Sequence, residues 1–232
     1  SSTRGNHITY SEVTVEETGN GYTVYKYKNY DNGYMDHEPL VYQADRYILD
    51  SGGDYNFFRD KEEGMSMALE RGQILSQEIY DNNKSIVKAI RYNYNDDENR
   101  FNENVRYIRF VPTSFNAAYT GEYYQSYRFS AGYHYTYFPY LKRKKTVDYI
   151  STTDSIVTVQ EYDFIPQYRL LKEARMQDSR SKWLKTVYSY PHEELNLFNH
   201  NDMVERNMLD YPYISEKKYD GTTIERNSTI YG

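Results

Sequence analysis

The chain has 232 residues with a formal net charge of -6, and 30 of these residues are tyrosine. It lacks the glycine repeat of a collagen, the long apolar run of a membrane-spanning helix and the positive charge of a strongly basic nucleic-acid binder, so these classes are excluded. The absence of cysteine excludes disulfides and thiolate chemistry. Because each tyrosine ring buries a large area, tyrosine must supply much of the core of a folded domain.

Alternating apolar and polar residues predict β-strands along most of the chain. The predicted strands are rich in β-branched and aromatic residues. They are Tyr22–Lys28, Val105–Val111, Tyr133–Phe138, Ile156–Tyr162 and Leu184–Tyr190.

Helical signals are few. Good helix formers between Asp60 and Gly72 predict a helix over Lys61–Arg71, and Asp202 is the expected N-cap of a second helix that ends at Leu209. The polar stretches 50–54, 93–104 and 191–201 are typical of loops. The sequence therefore predicts an all-β fold of antiparallel β-hairpin or meander sheets with one or two short helices.

A recurring unit of strand, polar turn and strand runs through the chain. Counted from Leu75, Leu171 and Ile214, a tyrosine follows 17 positions later each time, and Tyr80-Asp81 and Tyr219-Asp220 stand near the turns. The hairpin units lie near residues 73–94, 140–164, 168–190 and 213–231, within a single β-rich segment, 1–232, of a longer protein. A lone hairpin cannot bury its apolar face, so such units must pair edge to edge or be covered.

The Tyr-Asp pair near the turn resembles the YD repeat of bacterial RHS-type proteins, and the order of the sequence blocks is similar to that of very large RHS-like surface proteins. The likeness extends from about Gly21 to Tyr231 as spaced blocks, and Asn82–Ser85 and Gly221–Thr223 stand where the repeat usually has Gly-Arg-Leu. The blocks are Gly21–Tyr27, Arg71–Leu75, Tyr137–Leu141 and Met203–Pro212.

This resemblance implies a fold of irregular YD-like hairpin repeats that serves as a non-catalytic scaffold or adhesion module. It also implies a cell-surface or secreted location, reached through an export signal outside this segment. The predicted partners are neighbouring repeats of the same polypeptide, and a glycan or another surface protein is a further candidate partner. The resemblance supplies no catalytic residue.

A glycan-binding module is the alternative function. Tyr133, Tyr135 and Tyr137 share one face of a predicted strand, and four consecutive basic residues follow at Lys142–Lys145. Such rings can stack on sugars while their hydroxyls form hydrogen bonds. Further candidates for this platform are Tyr123, Tyr124, Tyr127 and Trp183. The structural alternative is that the tyrosines pack across the sheet and the lysines solvate or protect an edge strand.

Other chemistry has little support in the sequence. The five histidines are scattered, and His192-Glu193 lacks the second histidine that a zinc-protease helix has at the position of Asn196. Asp50-Ser51-Gly52 has no second triplet of the kind that an aspartic protease needs. We therefore predict no catalytic residue, no metal, no cofactor, no nucleic-acid partner and no membrane insertion of this segment. A hydrolase of unfamiliar type is a third alternative, and it requires converging carboxylates or histidines in a pocket.

Overall fold

The structure, a computed structural model, describes residues 9–37, 40–43, 65–116, 123–178, 180–197 and 199–231, with side chains for all of these except 40–43, 109–116 and 123–130. The strands in these ranges are β1 (Glu12–Glu17), β2 (Gly21–Tyr27), β3 (Leu40–Gln43), β4 (Ile74–Tyr80), β5 (Ile86–Tyr94), β6 (Asn104–Asn116), β7 (Tyr123–Tyr135), β8 (Leu141–Tyr149), β9 (Ser155–Ile165), β10 (Leu170–Gln177), β11 (Trp183–Ser189), β12 (Ile214–Tyr219) and β13 (Thr222–Ser228). The helical elements there are the α-helix α1 (His200–Glu205) and 3-10 helices at Tyr30–Asn32, Glu98–Asn102 and Pro191–Glu193. The predicted all-β class is confirmed. None of the helices in this part of the chain has the length and apolar character needed to span a membrane.

The chain divides into two compact units. The first, called here the sheet unit, consists of Glu12–Tyr27, Ile74–Asp97 and Phe138–Gly232. It contains one antiparallel sheet of ten strands in the order β1-β2-β4-β5-β8-β9-β10-β11-β12-β13. The strands therefore follow one another in chain order, with longer segments between β2 and β4 and between β5 and β8. These segments belong to the second unit.

Aspartate side chains build two of the hairpin turns in the same way. The Asp81 carboxylate accepts hydrogen bonds from the backbone N–H groups of Asn83 and Ser85, both at 2.8 Å. Asp178 accepts from the backbone N–H groups two and four residues later, at 2.9 and 2.8 Å. The residue three positions after each aspartate, Lys84 or Ser181, has a positive φ. Such side-chain bonds let an aspartate organise a tight turn.

The last hairpin uses a different turn. Asp220 and Gly221 both have positive φ values, 49° and 85°. They form the two-residue connection between β12 and β13, the left-handed geometry that suits the twist of a β-hairpin and that Asp-Gly favours.

The predicted helices differ from the observed ones. Residues 61–64 lie outside the described ranges, and residues 65–72 form a bridge and turns because Met65 pairs with His37 and the Glu70 and Arg71 side chains bind distant partners. The second helix is α1, which begins two residues before Asp202 with Asn199 as its N-cap. It ends at Glu205, before the left-handed Asn207.

Three further predictions about strands and loops differ from what the structure shows. The strand predicted over Tyr133–Phe138 ends at Tyr135, after which the Thr136 N–H donates to the Glu103 carbonyl. Much of the stretches 93–104 and 191–201 forms strand, 3-10 helix or α-helix, whereas 50–54 lies outside the described ranges. The basic run Lys142–Lys145 lies on β8, which pairs with strands on both sides, so its lysines do not cover an edge.

Few side chains of the ten-stranded sheet are buried. Of its strand residues only Ser76, Ala89, Ile90 and Val159 are buried. Outside the strands of the sheet unit, Tyr190 and Tyr213 are buried, and the Tyr190 hydroxyl donates to the Leu171 carbonyl at 2.8 Å. Burial, together with the charges of neighbouring groups, raises the pKa of Tyr190 to about 12. Tyrosine thus contributes to the core with its hydroxyl satisfied.

The close backbone packing at the start of β2 predicts that alanine at Gly21 destabilises the protein much more than alanine at Gly19. A Cβ at Gly21 would overlap the carbonyl oxygen of Tyr80 and lie 2.9 Å from the carbonyl carbon of Asp81, and φ there is +88°. Gly19 has φ +79° but open space around its Cβ position. We expect Gly19→Ala to lower the free energy of unfolding by about 1 kcal/mol, from backbone strain alone. Gly21→Ala should lower it by about 3 kcal/mol or more.

Urea denaturation of the two variants beside the wild type measures both values. Equal losses in the two variants would mean that the backbone approach at Tyr80 is not tight.

Candidate functional site

The second unit, called here the inserted unit, consists of Ser1–Ser11, Lys28–Gln73 and Glu98–Tyr137. Its sheet has the strand order β3-β7-β6. Beside β6 and β7 an open groove encloses about 720 Å3. The side chains that line it are Met65, Phe101, Asn102, Asn104, Arg106, Tyr133 and Tyr135.

The pairing register of β6 and β7 brings the polar and aromatic groups of the groove together. Arg106 lies directly opposite Tyr133, and Asn104 lies directly opposite Tyr135. Residues two apart on a strand point to the same face, so these four side chains form two neighbouring cross-strand pairs on one face. The Arg106 guanidinium carbon lies 5.8 Å from the centre of the Tyr133 ring.

The other face of the same hairpin holds a different pair. Tyr107 is opposite Gly132, and a Cβ on that glycine would lie 2.6 Å from the Tyr107 hydroxyl oxygen. The absence of a side chain therefore lets the Tyr107 ring fold across β7, where it stacks on His134 with ring centres 4.5 Å apart.

Phe101 is the third aromatic residue in the lining of the groove, and His37 packs against it from outside the lining. Phe101 comes from the 3-10 helix Glu98–Asn102, and its ring centre lies 5.0 Å from that of Tyr135. His37 Nδ1 and the Tyr135 hydroxyl oxygen are 2.8 Å apart and share a hydrogen bond whose donor is set by the histidine tautomer. The His37 ring also packs edge-on against Phe101 at 5.3 Å.

A buried carboxylate lies close behind these aromatic residues. Glu70 is 1% exposed, and its carboxylate accepts a hydrogen bond from the Lys28 ammonium at 3.0 Å. The Arg100 Nε and the Tyr137 hydroxyl both donate to its other oxygen, at 2.7 and 2.6 Å. One acid thus binds two cations and a phenol, and each of these partners is itself largely buried.

These contacts set the ionisation of the buried groups. Burial alone would raise the pKa of Glu70, but the hydrogen bonds from Tyr137, Lys28 and Arg100 offset it and hold the pKa below its usual value. Burial raises the pKa of the Tyr137 hydroxyl, and its bond to the Glu70 carboxylate raises the pKa further. Glu70 is therefore ionised and Tyr137 neutral near pH 7.

The ionic cluster also supports the groove. The Arg100 guanidinium carbon lies 4.1 Å from the centre of the Phe101 ring, which also contacts the rings of Tyr135 and Tyr137. Glu70 therefore holds Arg100, and Arg100 in turn supports an aromatic ring that lines the groove.

The groove combines aromatic faces, side-chain amides and a guanidinium, which suits the binding of a polar ligand through stacking and hydrogen bonds. Among the residues that the structure describes, neither a carboxylate nor a histidine lines it. Within the described residues no group of three or more histidine, aspartate or glutamate side chains stands close enough to hold a metal ion.

The structure separates the tyrosines of the predicted glycan platform. Tyr133 and Tyr135 both line the groove. Tyr137 lies beyond the end of β7 and does not share the strand face of these two tyrosines. It is 2% exposed and its hydroxyl donates to Glu70, so it is not available to stack on a sugar. Trp183 belongs to the sheet unit, where the Arg175 guanidinium lies 5.1 Å from its ring centre.

The other three platform candidates fall in β7. The backbone of Tyr123, Tyr124 and Tyr127 forms part of that strand, but their side chains lie outside the described ones.

Sequence reasoning missed Arg106, Asn104 and Glu70. The signal for the first two is the hairpin itself, because pairing Tyr135 with Asn104 places Arg106 opposite Tyr133. No local pattern marks Glu70, since its partners are 30 to 67 residues away along the chain.

Comparison with known proteins gives no family for this chain. It matches no protein-family model, no curated protein and no solved structure.

The buried cluster predicts a stability loss that depends on pH. Glu70→Gln removes the carboxylate charge that Lys28 and Arg100 both contact in a buried position, so we expect the free energy of unfolding at pH 7 to fall by about 3–5 kcal/mol. A carboxylate with a lowered pKa stabilises the fold above its ordinary value of 4.5 and loses this contribution as the pH falls toward its lowered pKa. The difference between wild type and variant should therefore shrink as the pH falls below 4.5.

Urea denaturation at pH values from 7 to 3 measures this difference. Glu103→Gln, at an exposed carboxylate of the same unit, is the matched control and should stay within about 0.5 kcal/mol of the wild type. A constant difference across the pH range would contradict an ionised Glu70.

Proposed function

We propose that the chain is a non-catalytic scaffold or adhesion module of a large bacterial surface protein of RHS/YD-repeat type. The observation that carries this proposal is the ten-stranded sheet whose strands are in chain order. Each strand pairs with the strands beside it, so hairpins can be added at either edge without changing the pairing of those already present. This is the property that a long repetitive surface protein needs.

The two edges of this sheet support the proposal. β1 and β13 each pair with one neighbour in the described part of the chain, and every residue of β13 is exposed. An unpaired edge presents free backbone N–H and C=O groups to another strand. Neighbouring repeats of the same polypeptide are the partners that we propose for these edges, in a protein located at the cell surface or secreted.

Edge pairing predicts that the isolated chain self-associates as its concentration rises. Val15 on β1 and Ile224 on β13 are 53% and 60% exposed, and replacing both with lysine adds charges that oppose strand pairing. The control replaces Met176 with lysine. Met176 is 36% exposed, but it lies on β10, where it pairs with Gln160 of β9 on one side and with Leu184 of β11 on the other.

Sedimentation velocity measures the outcome. We expect association in the wild type and the β10 control but not in the edge variant. A wild type that stays monomeric at every concentration, or a control that behaves as the edge variant does, would count against the scaffold proposal.

Glycan binding is the second candidate, and the groove of the inserted unit is the observation that favours it. Its lining combines Tyr133 and Tyr135 with two asparagine amides and an arginine. Amphipathic rings stack on sugar faces, while amides and guanidinium groups donate to hydroxyls.

A glycan array tests this candidate. We expect saturable binding that Tyr133→Ala weakens at least tenfold, because a stacking ring in the groove is lost. Tyr149→Ala removes a tyrosine 37% exposed on β8 in the other unit and should leave the binding unchanged. Bound glycan recovered intact, as judged by mass, distinguishes a binding module from a hydrolase. An array without any hit would remove glycan binding and leave the scaffold proposal standing.

A further inference from the structure

Arg106 gives the groove a positive charge that has no counter-ion among the described residues. The Arg106 side chain is exposed and forms no hydrogen bond or ion pair with the part of the chain that the structure describes. Its one contact there is with the face of the Tyr133 ring, at 5.8 Å. A guanidinium offers five N–H donors in a planar arrangement that matches a carboxylate, and here these donors remain available.

Neutral hydrogen-bonding groups accompany Arg106 in the groove. The Asn104 amide donates to the Phe101 carbonyl at 2.7 Å, which fixes its orientation and leaves its side-chain oxygen available. Asn102 is exposed and has no partner among the described residues. Together they offer both donors and acceptors, the combination that a ring bearing several hydroxyls requires.

The charges around the groove favour an anion, although the whole chain is acidic. Among the described residues that line the groove, Arg106 carries the one charge, and Glu103, which lies between the two asparagines in sequence, is exposed and outside the lining. Behind Phe101, the positive charges of Lys28 and Arg100 bind the Glu70 carboxylate. The charge that the described lining presents to a ligand is therefore that of Arg106.

We infer that the groove binds an anionic sugar unit, with the sugar ring stacked on Tyr133 or Tyr135 and its carboxylate held by Arg106. The inference rests on glycan binding, the second candidate under Proposed function, and specifies its ligand class. The pairing of Arg106 with Tyr133 carries it, because one sugar ring can then meet an aromatic face and a guanidinium on neighbouring strands.

A matched pair of sugars tests the charge directly. Methyl β-glucuronide and methyl β-glucoside differ in carrying a carboxylate or a hydroxymethyl group at one carbon. We expect the glucuronide to bind about tenfold more tightly, since a charge-assisted hydrogen bond is roughly twice as strong as a neutral one. Titrations followed by two-dimensional NMR report the affinity, and the side-chain signals of Asn102, Asn104 and Arg106 report the site.

Three variants locate the effect. Arg106→Gln should abolish the preference for the glucuronide, so that the two sugars bind this variant with equal affinity. Arg106→Lys should retain part of the preference because lysine keeps the charge without the planar donors. Arg91→Gln is the control: it removes an exposed arginine of β5 that forms no ion pair among the described residues. Unshifted spectra outside the groove verify that each variant is folded.

The outcomes separate this inference from the function on which it rests. Equal affinity for the two sugars would overturn the anionic ligand and leave glycan binding intact. An equal loss in Arg91→Gln and Arg106→Gln would overturn the site, because the attraction would then come from general charge. Glycan-array hits would likewise overturn the site if the glucuronide did not shift the NMR side-chain signals of Asn102, Asn104 or Arg106. A glycan array without any hit would remove both the inference and the glycan-binding candidate.

Discussion

The inserted unit depends on one carboxylate. Glu70 binds Lys28 from its own segment of the chain and Arg100 and Tyr137 from the segment that follows β5, so a single acid joins the two segments inserted into the sheet. Each of these bonds lies out of water, where an unpaired partner would be costly. A buried ion cluster of this kind adds little net stability compared with apolar packing, but it tolerates few alternative arrangements. It therefore defines how the two segments meet.

This constraint extends to the groove through Arg100. The arginine packs against Phe101, and Phe101 contacts Tyr135, which pairs with Asn104 across the hairpin. Arg100 is outside the lining of the groove, but it supports Phe101, which is part of that lining. The buried tyrosine Tyr137 serves the same network as a neutral donor, which explains why a residue so near Tyr133 and Tyr135 in sequence is unavailable for stacking.

Alternation along the chain was enough to predict the all-β class, because a strand has a local period that its own residues reveal. Alternation did not predict where each strand or helix begins and ends. The strand at Tyr133 stops when the Thr136 N–H turns to Glu103, and the residues before Gly72 form turns because Glu70 and Arg71 bind partners far away in sequence. For the candidate site, the aromatic half was visible as a cluster of tyrosines. The contribution of Arg106 could not be predicted in this way, since it depends on the strand pairing that places Arg106 opposite Tyr133.

The chain order of the ten-stranded sheet has a consequence for how the protein folds. Hairpins such as β12–β13, joined by two residues, bring their strands together at little entropic cost, and they can form early. Pairing β2 with β4, or β5 with β8, instead closes a long loop that contains an inserted segment. Closing a longer loop costs more conformational entropy, so we expect these pairings to form later. The sheet would then grow from several independent hairpins, and the ionic cluster would form among the last contacts, once both inserted segments are held at their ends.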